Sequence, residues 1–196
     1  MKEAKVNLFE TKAKSLPVEL EFYPETATAV LTVDKNNIDL EAKRALAEQL
    51  GLLAKKEFHF TVIGKETGER ILKVLENSDE IKRNRVLTQI RELVQAVDWR
   101  VVLDDDFYYI TKDYNEPDPG NPGKTIPETR RSIVQMARVD ELAEFYRKFN
   151  DLLGEDFATP LPHLTLFTNS TREDKKLRGI GIYSPSQFKE LKPEKV

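Results

Sequence analysis

The sequence predicts an α+β fold in which two similar β-α-β units lie on either side of one cleft. Apolar residues alternate between the two-residue period of strands and the 3.6-residue period of helices along the 196-residue chain. One strand–helix–strand pattern occurs twice, which indicates an internal duplication. Both copies end on the tripeptide His-x-Thr, at the only two histidines of the chain, His59 and His163.

The first copy lies in the N-terminal half of the chain. Residues 18–23 and 28–33 have the apolar and β-branched character of strands. Residues 38–50 then follow the helical period, with Asp39 as the expected N-cap. Residues 57–63 form the next predicted strand, and this strand carries the first His-x-Thr motif.

The middle of the chain separates the two copies. Residues 66–97 are highly charged and follow the helical period, so we expect a two-helix insertion whose second helix is capped by Ser78. Strands at 99–103 and 107–111 would form a hairpin around a run of three aspartates. Residues 114–129 are rich in Pro, Gly and Asn and are expected to form a long exposed loop.

The second copy repeats the order of the first. Residues 132–139 are expected to form a strand, and Asp140 to cap the helix that follows. The strand at 163–168 carries the second His-x-Thr motif. A last strand is expected at 180–183, and the charged tail from Pro185 onward is expected to be loose.

The spacing between helix and motif is similar in the two copies. A Leu-Gly pair ends each predicted helix, as expected for a glycine C-cap. Gly51 precedes His59 by eight positions, and Gly154 precedes His163 by nine. Two such units related by a pseudo-twofold axis would bring the two His-x-Thr strands together.

Composition limits the function. The chain has no cysteines, which excludes disulfides, thiolate metal sites and cysteine nucleophiles. No apolar stretch reaches the roughly 20 residues of a membrane span, and the N-terminus has no apolar segment typical of a signal peptide. We therefore expect a cytoplasmic protein without a membrane partner. The net charge of −3 favours a small nucleotide or an RNA end over a long duplex.

The two motifs are suited to phosphodiester hydrolysis. Residues i and i+2 of a strand point to the same face, so His59 shares a face with Thr61, and His163 shares a face with Thr165. One histidine can remove a proton from the attacking oxygen while the other protonates the leaving oxygen. Each threonine hydroxyl can donate to a nonbridging phosphate oxygen. We expect no metal and no other cofactor, because two histidines without a carboxylate or thiolate make a poor zinc site.

The motifs resemble those of the two-histidine (2H) phosphoesterase superfamily, which includes 2′-5′ RNA ligases and cyclic-nucleotide phosphodiesterases. The resemblance covers the two His-x-Thr segments and the strand–helix block at 131–153. It implies two pseudo-symmetric ferredoxin-like β-α-β lobes around a central cleft. It also implies that His59, Thr61, His163 and Thr165 hydrolyse a cyclic phosphate or a 2′-5′ phosphodiester. The chain departs from many bacterial members, which carry arginine where it has Thr168, and its insertion is longer.

Further residues are candidates for holding the substrate. A tyrosine near the cleft can stack on a base or sugar, and an arginine beside the long loop can close over a phosphate. Three consecutive carboxylates in a turn point in different directions, so they do not predict a metal site. The substrate-binding candidates are Tyr23, Tyr109, Tyr183 and Arg130, with Tyr108, Lys124 and Arg131 also considered.

Two other functions remain open at this point. The same fold can hold a nucleotide or RNA without turnover, as a non-catalytic binding module. Alternatively, the charged insertion at 66–97 can bind a protein partner, whose identity the sequence does not indicate. Retention of both proton-transfer motifs favours the enzyme, and hydrolysis of a cyclic mononucleotide in the presence of EDTA would separate the three functions.

Overall fold

The computed structural model describes residues 15–118 and 120–196, which form an α+β fold. Two antiparallel sheets and five α-helices are present in this part of the chain, as well as short 3-10 turns at Lys35–Asn37 and Glu173–Lys175. The strands are β1 (Glu19–Tyr23), β2 (Thr28–Val33), β3 (Leu53–Ala54), β4 (Phe58–Ile63), β5 (Val101–Pro117), β6 (Thr125–Val139), β7 (His163–Ser170) and β8 (Glu194–Lys195). The helices are α1 (Glu41–Gln49), α2 (Lys65–Val74), α3 (Glu80–Gln95), α4 (Leu142–Leu153) and α5 (Pro185–Glu190).

The strands are divided between the sheets so that the two motif strands fall in different sheets. The smaller sheet has the order β1-β2-β4, and the larger has the order β3-β7-β6-β5-β8. In both copies of the repeat, the strands before and after the helix pair directly with each other and run antiparallel. Within the described residues, no helix has the length and apolar character needed to cross a bilayer.

The first copy forms the elements that the sequence predicts, with small changes at their ends. Strand β2 has the predicted bounds, and β1 and β4 each begin one residue later than predicted. The Asp39 carboxylate accepts hydrogen bonds from the backbone N–H groups of Glu41 (3.0 Å) and Ala42 (3.3 Å), so it caps α1 as expected.

Two helix starts differ from the prediction. Helix α3 is capped by Asp79 rather than Ser78, because the Asp79 carboxylate reaches the N–H of Lys82 at 2.7 Å. Helix α4 begins one residue after Glu141 and has no side-chain cap, so the expected cap at Asp140 is wrong. Gly154 does end α4, with the left-handed φ of 65° that favours glycine.

The predictions of a short hairpin at 99–111 and of an exposed loop at 114–129 are both wrong. Strand β5 runs through the aspartates without a turn, and its register shifts between Leu103 and Phe107. It continues into a long hairpin with β6, so the connection between the strands is confined to the short stretch between Pro117 and Thr125. Most of the Pro, Gly and Asn residues that suggested a loop lie in this connection, while the residues on either side of it are strand.

One main core joins the two sheets to helices α1, α2, α3 and α4. The faces of β4 and β7 opposite the histidines contribute Phe60 and Leu164 to it, as the alternation predicts. Helix α2 contributes Ile71, α3 contributes Ile90 and α4 contributes Phe149. The predicted insertion therefore does form two helices, and its second helix is part of the core.

A second apolar cluster anchors the C-terminal segment to the larger sheet. Ile180 and Ile182 are buried against Ile110 of β5, and α5 covers the cluster with Phe188. Residues 180–183 alternate like a strand but pair with none of the described strands, so the prediction of a last strand there is wrong. The expectation of a loose tail is also wrong, because the segment from Pro185 forms α5 and β8.

A buried ion pair lies near the turn of the long hairpin. Arg130 of β6 donates to both carboxylate oxygens of Glu128, at 2.5 and 2.8 Å, and both residues are at most 3% exposed. Ser170 of β7 donates to the same carboxylate at 2.7 Å. The hydrogen bonds from Arg130 lower the pKa of Glu128 to about 2. The charged form of Glu128 thus stabilises the fold above the ordinary carboxyl pKa.

Glu128→Gln is expected to lower the free energy of unfolding at pH 7 by about 3 kcal/mol, because Arg130 stays buried but loses the fully buried one of its two carboxylate partners. Since the folded-state pKa of Glu128 is depressed, its contribution is present above about pH 4.5 and is lost as the pH falls towards 2. Urea unfolding should therefore show a weaker pH dependence in the variant over that window. The exposed pair partner Glu173 provides the control, and Glu173→Gln should change stability by less than about 0.5 kcal/mol.

Candidate functional site

The two His-x-Thr strands lie side by side where the two sheets meet. Strand β4 is the edge strand of the smaller sheet and contacts β7 of the larger sheet. Strand β3 pairs with Phe167 and Thr168, beyond the motif in β7. The N-terminal part of β7 therefore faces β4, and the two motifs come together as the predicted duplication requires.

Each motif strand carries a β-bulge at the same position, directly after the threonine. In β4 the register against β2 changes from Thr61 to Ile63, which leaves Val62 as the extra residue. In β7 the register against β6 changes from Thr165 to Phe167, which leaves Leu166 as the extra residue. Bulges bend a strand and re-aim its side chains, so each one fixes the direction in which its histidine and threonine point.

The carbonyls at the two bulges are bound reciprocally by the opposite copy of the repeat. The Tyr146 hydroxyl of α4 donates to the carbonyl of Val62 at 2.9 Å. The backbone N–H of Lys55, between β3 and β4, donates to the carbonyl of Leu166 at 2.9 Å. Tyr146 is only 2% exposed, so its hydrogen bond is formed inside the core. Each motif strand is thus held, at its bulge, by a residue of the opposite copy of the repeat.

All four motif side chains line one cavity of about 240 Å³, which we call the histidine cavity. Its volume suits a phosphate group with its nearest substituents rather than a whole nucleotide. The charged residues around it are two cations and one carboxylate. The lining residues are Lys55, Glu57, His59, Thr61, His163, Thr165, Arg178, Gly179, Ile180 and Gly181.

His163 is held in one tautomer by the backbone. Its Nδ1 lies 2.8 Å from the carbonyl of Leu161, which can only accept, so Nδ1 carries the proton and Nε2 is the nitrogen left for chemistry. The side chain is 9% exposed. Burial lowers the pKa of His163, while hydrogen bonds to the backbone of Leu161 and Ile180 partly oppose that shift.

His59 faces the cavity from the more open side and remains exposed. Desolvation by the surrounding strands lowers its pKa, and the nearby charges of Lys55 and His163 lower it further. Both imidazoles are therefore neutral at pH 7 when no anion is bound. A phosphate anion between them would favour the charged form of one ring, because an opposite charge raises the pKa of histidine.

Two larger cavities adjoin the histidine cavity. One, of about 440 Å³, is lined by Tyr114 and Tyr183 and shares His59, Thr61 and Arg178 with the histidine cavity; we call it the tyrosine cavity. The other is a groove of about 570 Å³ on the smaller sheet, which His59 also lines. The site is therefore open on two sides of the phosphate position.

The predicted substrate-binding residues are divided between these cavities. Tyr183 and Arg130 line the tyrosine cavity, and Tyr23 lines the groove on the smaller sheet. Tyr109 lines none of them, because it packs on the main core opposite Ile133, and the structure does not bring it to the site.

Arg130 does not lie in a loop that can close over a phosphate. It is fixed in β6 and 3% exposed, and its guanidinium binds Glu128 and Glu116. Its ring contact is with Tyr114, whose centroid lies 4.0 Å from the guanidinium carbon. Arg130 therefore supports the wall of the tyrosine cavity.

Sequence reasoning missed Lys55, Tyr114 and Arg178, as well as the role of the segment that follows Arg178 in lining the site. Two glycines let this segment pass close to the site: a Cβ on Gly179 would lie 3.2 Å from the Thr165 hydroxyl, and one on Gly181 would lie 2.6 Å from the hydroxyl of Tyr183. The alternation of glycine with isoleucine after Arg178 was the available signal, since the isoleucines are buried and the glycines face the cavities.

The run of Asp104, Asp105 and Asp106 does not approach the site. Asp104 pairs with Arg138 at 3.3 Å, and Asp106 pairs with Lys195 at 2.5 Å. Among residues 15–118 and 120–196, no group of three or more histidine, cysteine or acidic side chains is arranged to hold a metal ion.

Comparisons of the chain with protein-family models, with curated proteins and with solved structures found no match. The interpretation of the site therefore depends on its own geometry.

Lys55→Gln is expected to raise the pKa of His59, because it removes a positive charge that disfavours the imidazolium. NMR titration of the histidine Cε1–H signals measures this directly. Lys56→Gln is the matched control, since Lys56 lines the groove on the smaller sheet but not the histidine cavity. An unchanged or lowered His59 pKa in Lys55→Gln would show that Lys55 does not act on this ring.

Proposed function

We propose that the protein is a metal-independent phosphodiesterase of the 2H type, which hydrolyses a cyclic phosphate or a 2′-5′ phosphodiester. One observation carries this proposal: His59, Thr61, His163 and Thr165, from strands of two different sheets, line a single cavity. A structural role for the histidines would not require both to face the same small, polar space. The same resemblance motivates the expectation that the substrate is a nucleotide or an RNA end.

The reaction needs one proton removed and one supplied. A neutral imidazole takes a proton from water as the water oxygen bonds to phosphorus. The P–O bond to the leaving group breaks, and the other histidine, protonated, gives its proton to the leaving oxygen. Thr61 and Thr165 donate to nonbridging oxygens, where negative charge develops. Substrate orientation decides which histidine acts as acid and which as base.

We also propose that the fold consists of two pseudo-symmetric ferredoxin-like lobes around a central cleft. Matching features of the two copies support the pseudo-symmetry. Each copy has antiparallel strands around one helix, a His-x-Thr on the second strand and a bulge directly after the threonine. The bulge positions are independent of the motif itself, so their agreement supports a duplication.

The tyrosine cavity is the expected place for the substrate base. Tyr114 and Tyr183 supply aromatic surface next to the phosphate position, and its volume of about 440 Å³ suits a nucleoside. Burial raises the pKa of Tyr183 to about 12, so its hydroxyl stays protonated and can donate to a base or ribose. Contacts in this cavity would determine which nucleotide is accepted.

The wild-type protein is expected to hydrolyse a 2′,3′-cyclic mononucleotide in the presence of EDTA. His59→Ala and His163→Ala should each lower kcat by about 100-fold or more, because each removes one proton-transfer group. Circular dichroism and thermal unfolding establish that the variants are folded. The wild-type rate should show a bell-shaped pH profile.

Two results would contradict this function. Full activity in either histidine variant would remove that ring from the mechanism. Binding of the nucleotide without turnover by wild type would instead indicate the non-catalytic binding module on the same fold.

Tyr183→Leu is expected to raise KM for a cyclic mononucleotide by about tenfold, because base stacking on an aromatic ring contributes roughly 1–3 kcal/mol. Tyr183→Phe should retain most of the affinity. Tyr109→Leu is the control, since Tyr109 is half-buried outside the cavities, and its KM should stay within about twofold of wild type. Steady-state kinetics on the three variants decide whether the base lies against Tyr183.

A further inference from the structure

Arg178 stands at the opening between the histidine cavity and the tyrosine cavity. It lines both, together with His59 and Thr61. Its side chain is 39% exposed, which leaves the guanidinium accessible from the cavities. No other arginine lines the histidine cavity among the described residues.

The backbone of Arg178 is fixed by side chains from both copies of the repeat. Lys55 Nζ donates to the carbonyl of Leu177 at 2.9 Å. The buried hydroxyl of Thr168 lies 3.0 Å from the carbonyl of Arg178 and 3.1 Å from that of Arg131, so its single proton is shared between them. Ser132 lies within 2.9 Å of the same hydroxyl and can donate to it. The segment is therefore held in place before any ligand binds.

The guanidinium of Arg178 has few partners. Within the described residues, only its Nη1 makes a hydrogen bond, to Glu116 at a long 3.3 Å. An arginine has five N–H donors, so most of them remain available. Arg130 differs, because it forms three bonds of 2.5–2.8 Å to two carboxylates. Of the two arginines, Arg178 is the one able to bind a new anion.

The surrounding charges also favour an anion at Arg178. Glu116 contacts four cations, of which Arg130 also pairs with Glu128 and Arg172 with Asp174, so three carboxylates face four positive charges. Hydrogen bonding from Lys175 is the main cause of the lowered pKa of Glu116, so its charge is already strongly engaged. Among the cations hydrogen-bonded to Glu116, Arg178 forms the longest bond. The cations are Arg130, Arg172, Lys175 and Arg178.

We propose that Arg178 binds the nonbridging oxygens of the substrate phosphate in the histidine cavity, and that Glu116 restrains its side chain. This inference rests on the proposed phosphodiesterase function and names the residue that holds the phosphate. The two threonines supply neutral donors from the strands, while Arg178 supplies a charged donor that can bind two phosphate oxygens at once. Lys55 also places a positive charge at the cavity, but its ammonium group is held on the carbonyl of Leu177 and lacks the paired donors of a guanidinium.

The test measures binding of inorganic phosphate through the Cε1–H signals of both histidines. Arg178→Gln is expected to weaken the Kd by about 10- to 100-fold, since a charged hydrogen bond contributes about 1.5–3 kcal/mol. Arg178→Lys keeps the charge but loses the bidentate geometry, so its Kd should lie between those of wild type and Arg178→Gln.

Arg172→Gln is the matched control. Arg172 contacts the other oxygen of the same carboxylate, Oε2 of Glu116, but lines neither cavity. Its phosphate Kd should stay within about twofold of wild type. Thermal unfolding of both variants accounts for any shared loss of stability from the Glu116 cluster.

The inference is overturned if Arg178→Gln weakens phosphate binding no more than Arg172→Gln does, or if wild type shows no response of either histidine to phosphate. This readout requires no turnover. Phosphate binding that depends on Arg178, together with no hydrolysis by wild type, would contradict the phosphodiesterase function but support the role of Arg178. Loss of turnover in the histidine variants, with phosphate binding unchanged in Arg178→Gln, would support the phosphodiesterase function but contradict the role of Arg178.

Discussion

Two strands from different sheets meet at the site, and each carries one extra residue directly after its threonine. The carbonyls of these extra residues, Val62 and Leu166, are bound by Tyr146 and by the backbone of Lys55. Each bond comes from the opposite copy of the repeat, so neither motif is positioned by its own copy alone. A strand without the bulge would keep a strict alternation beyond the threonine, and the residues after it would leave the core.

This arrangement also determines the electrostatics of the site. The histidines come from opposite sides and differ in exposure, yet both have lowered pKa values because their surroundings disfavour the charged ring. An anion bound in the cavity would raise the pKa of a neighbouring ring, so that ring would take up a proton as the anion binds. Positive charge is supplied by Lys55 and Arg178, which are themselves joined through the backbone of Leu177. Lys55 therefore both holds a motif strand, through its backbone, and places a positive charge at the histidine cavity.

The motif residues could be predicted because the cause of their placement is local. In β4 and β7 the apolar residues alternate with histidine and threonine, so the burial of Phe60 and Leu164 was readable from the pattern. The bulges left no such signal, since an extra residue in one strand depends on the partner strand. The role of Thr168 could not be predicted either, because its hydroxyl donates to the carbonyl of Arg178, ten residues later in the chain.

The loop predicted at 114–129 was wrong for a different reason. The inward positions of β6 include Glu128 and Arg130, which are charged but buried as a pair. The Pro, Gly and Asn residues of 114–129 predicted a loop, and the charged inward positions gave no apolar alternation that would have indicated strands instead. Tyr114 and Glu116, which reach the site from this hairpin, were missed for that reason.

The most direct test of the central claim is a crystal structure of the protein with a nucleoside 2′-monophosphate. The account predicts that one phosphate lies between the two imidazoles, with a nitrogen of His59 and Nε2 of His163 each about 3 Å from its oxygens. Thr61 and Thr165 should donate to the same phosphate. A phosphate bound to one ring only, or a nucleotide bound outside the histidine cavity, would contradict the account.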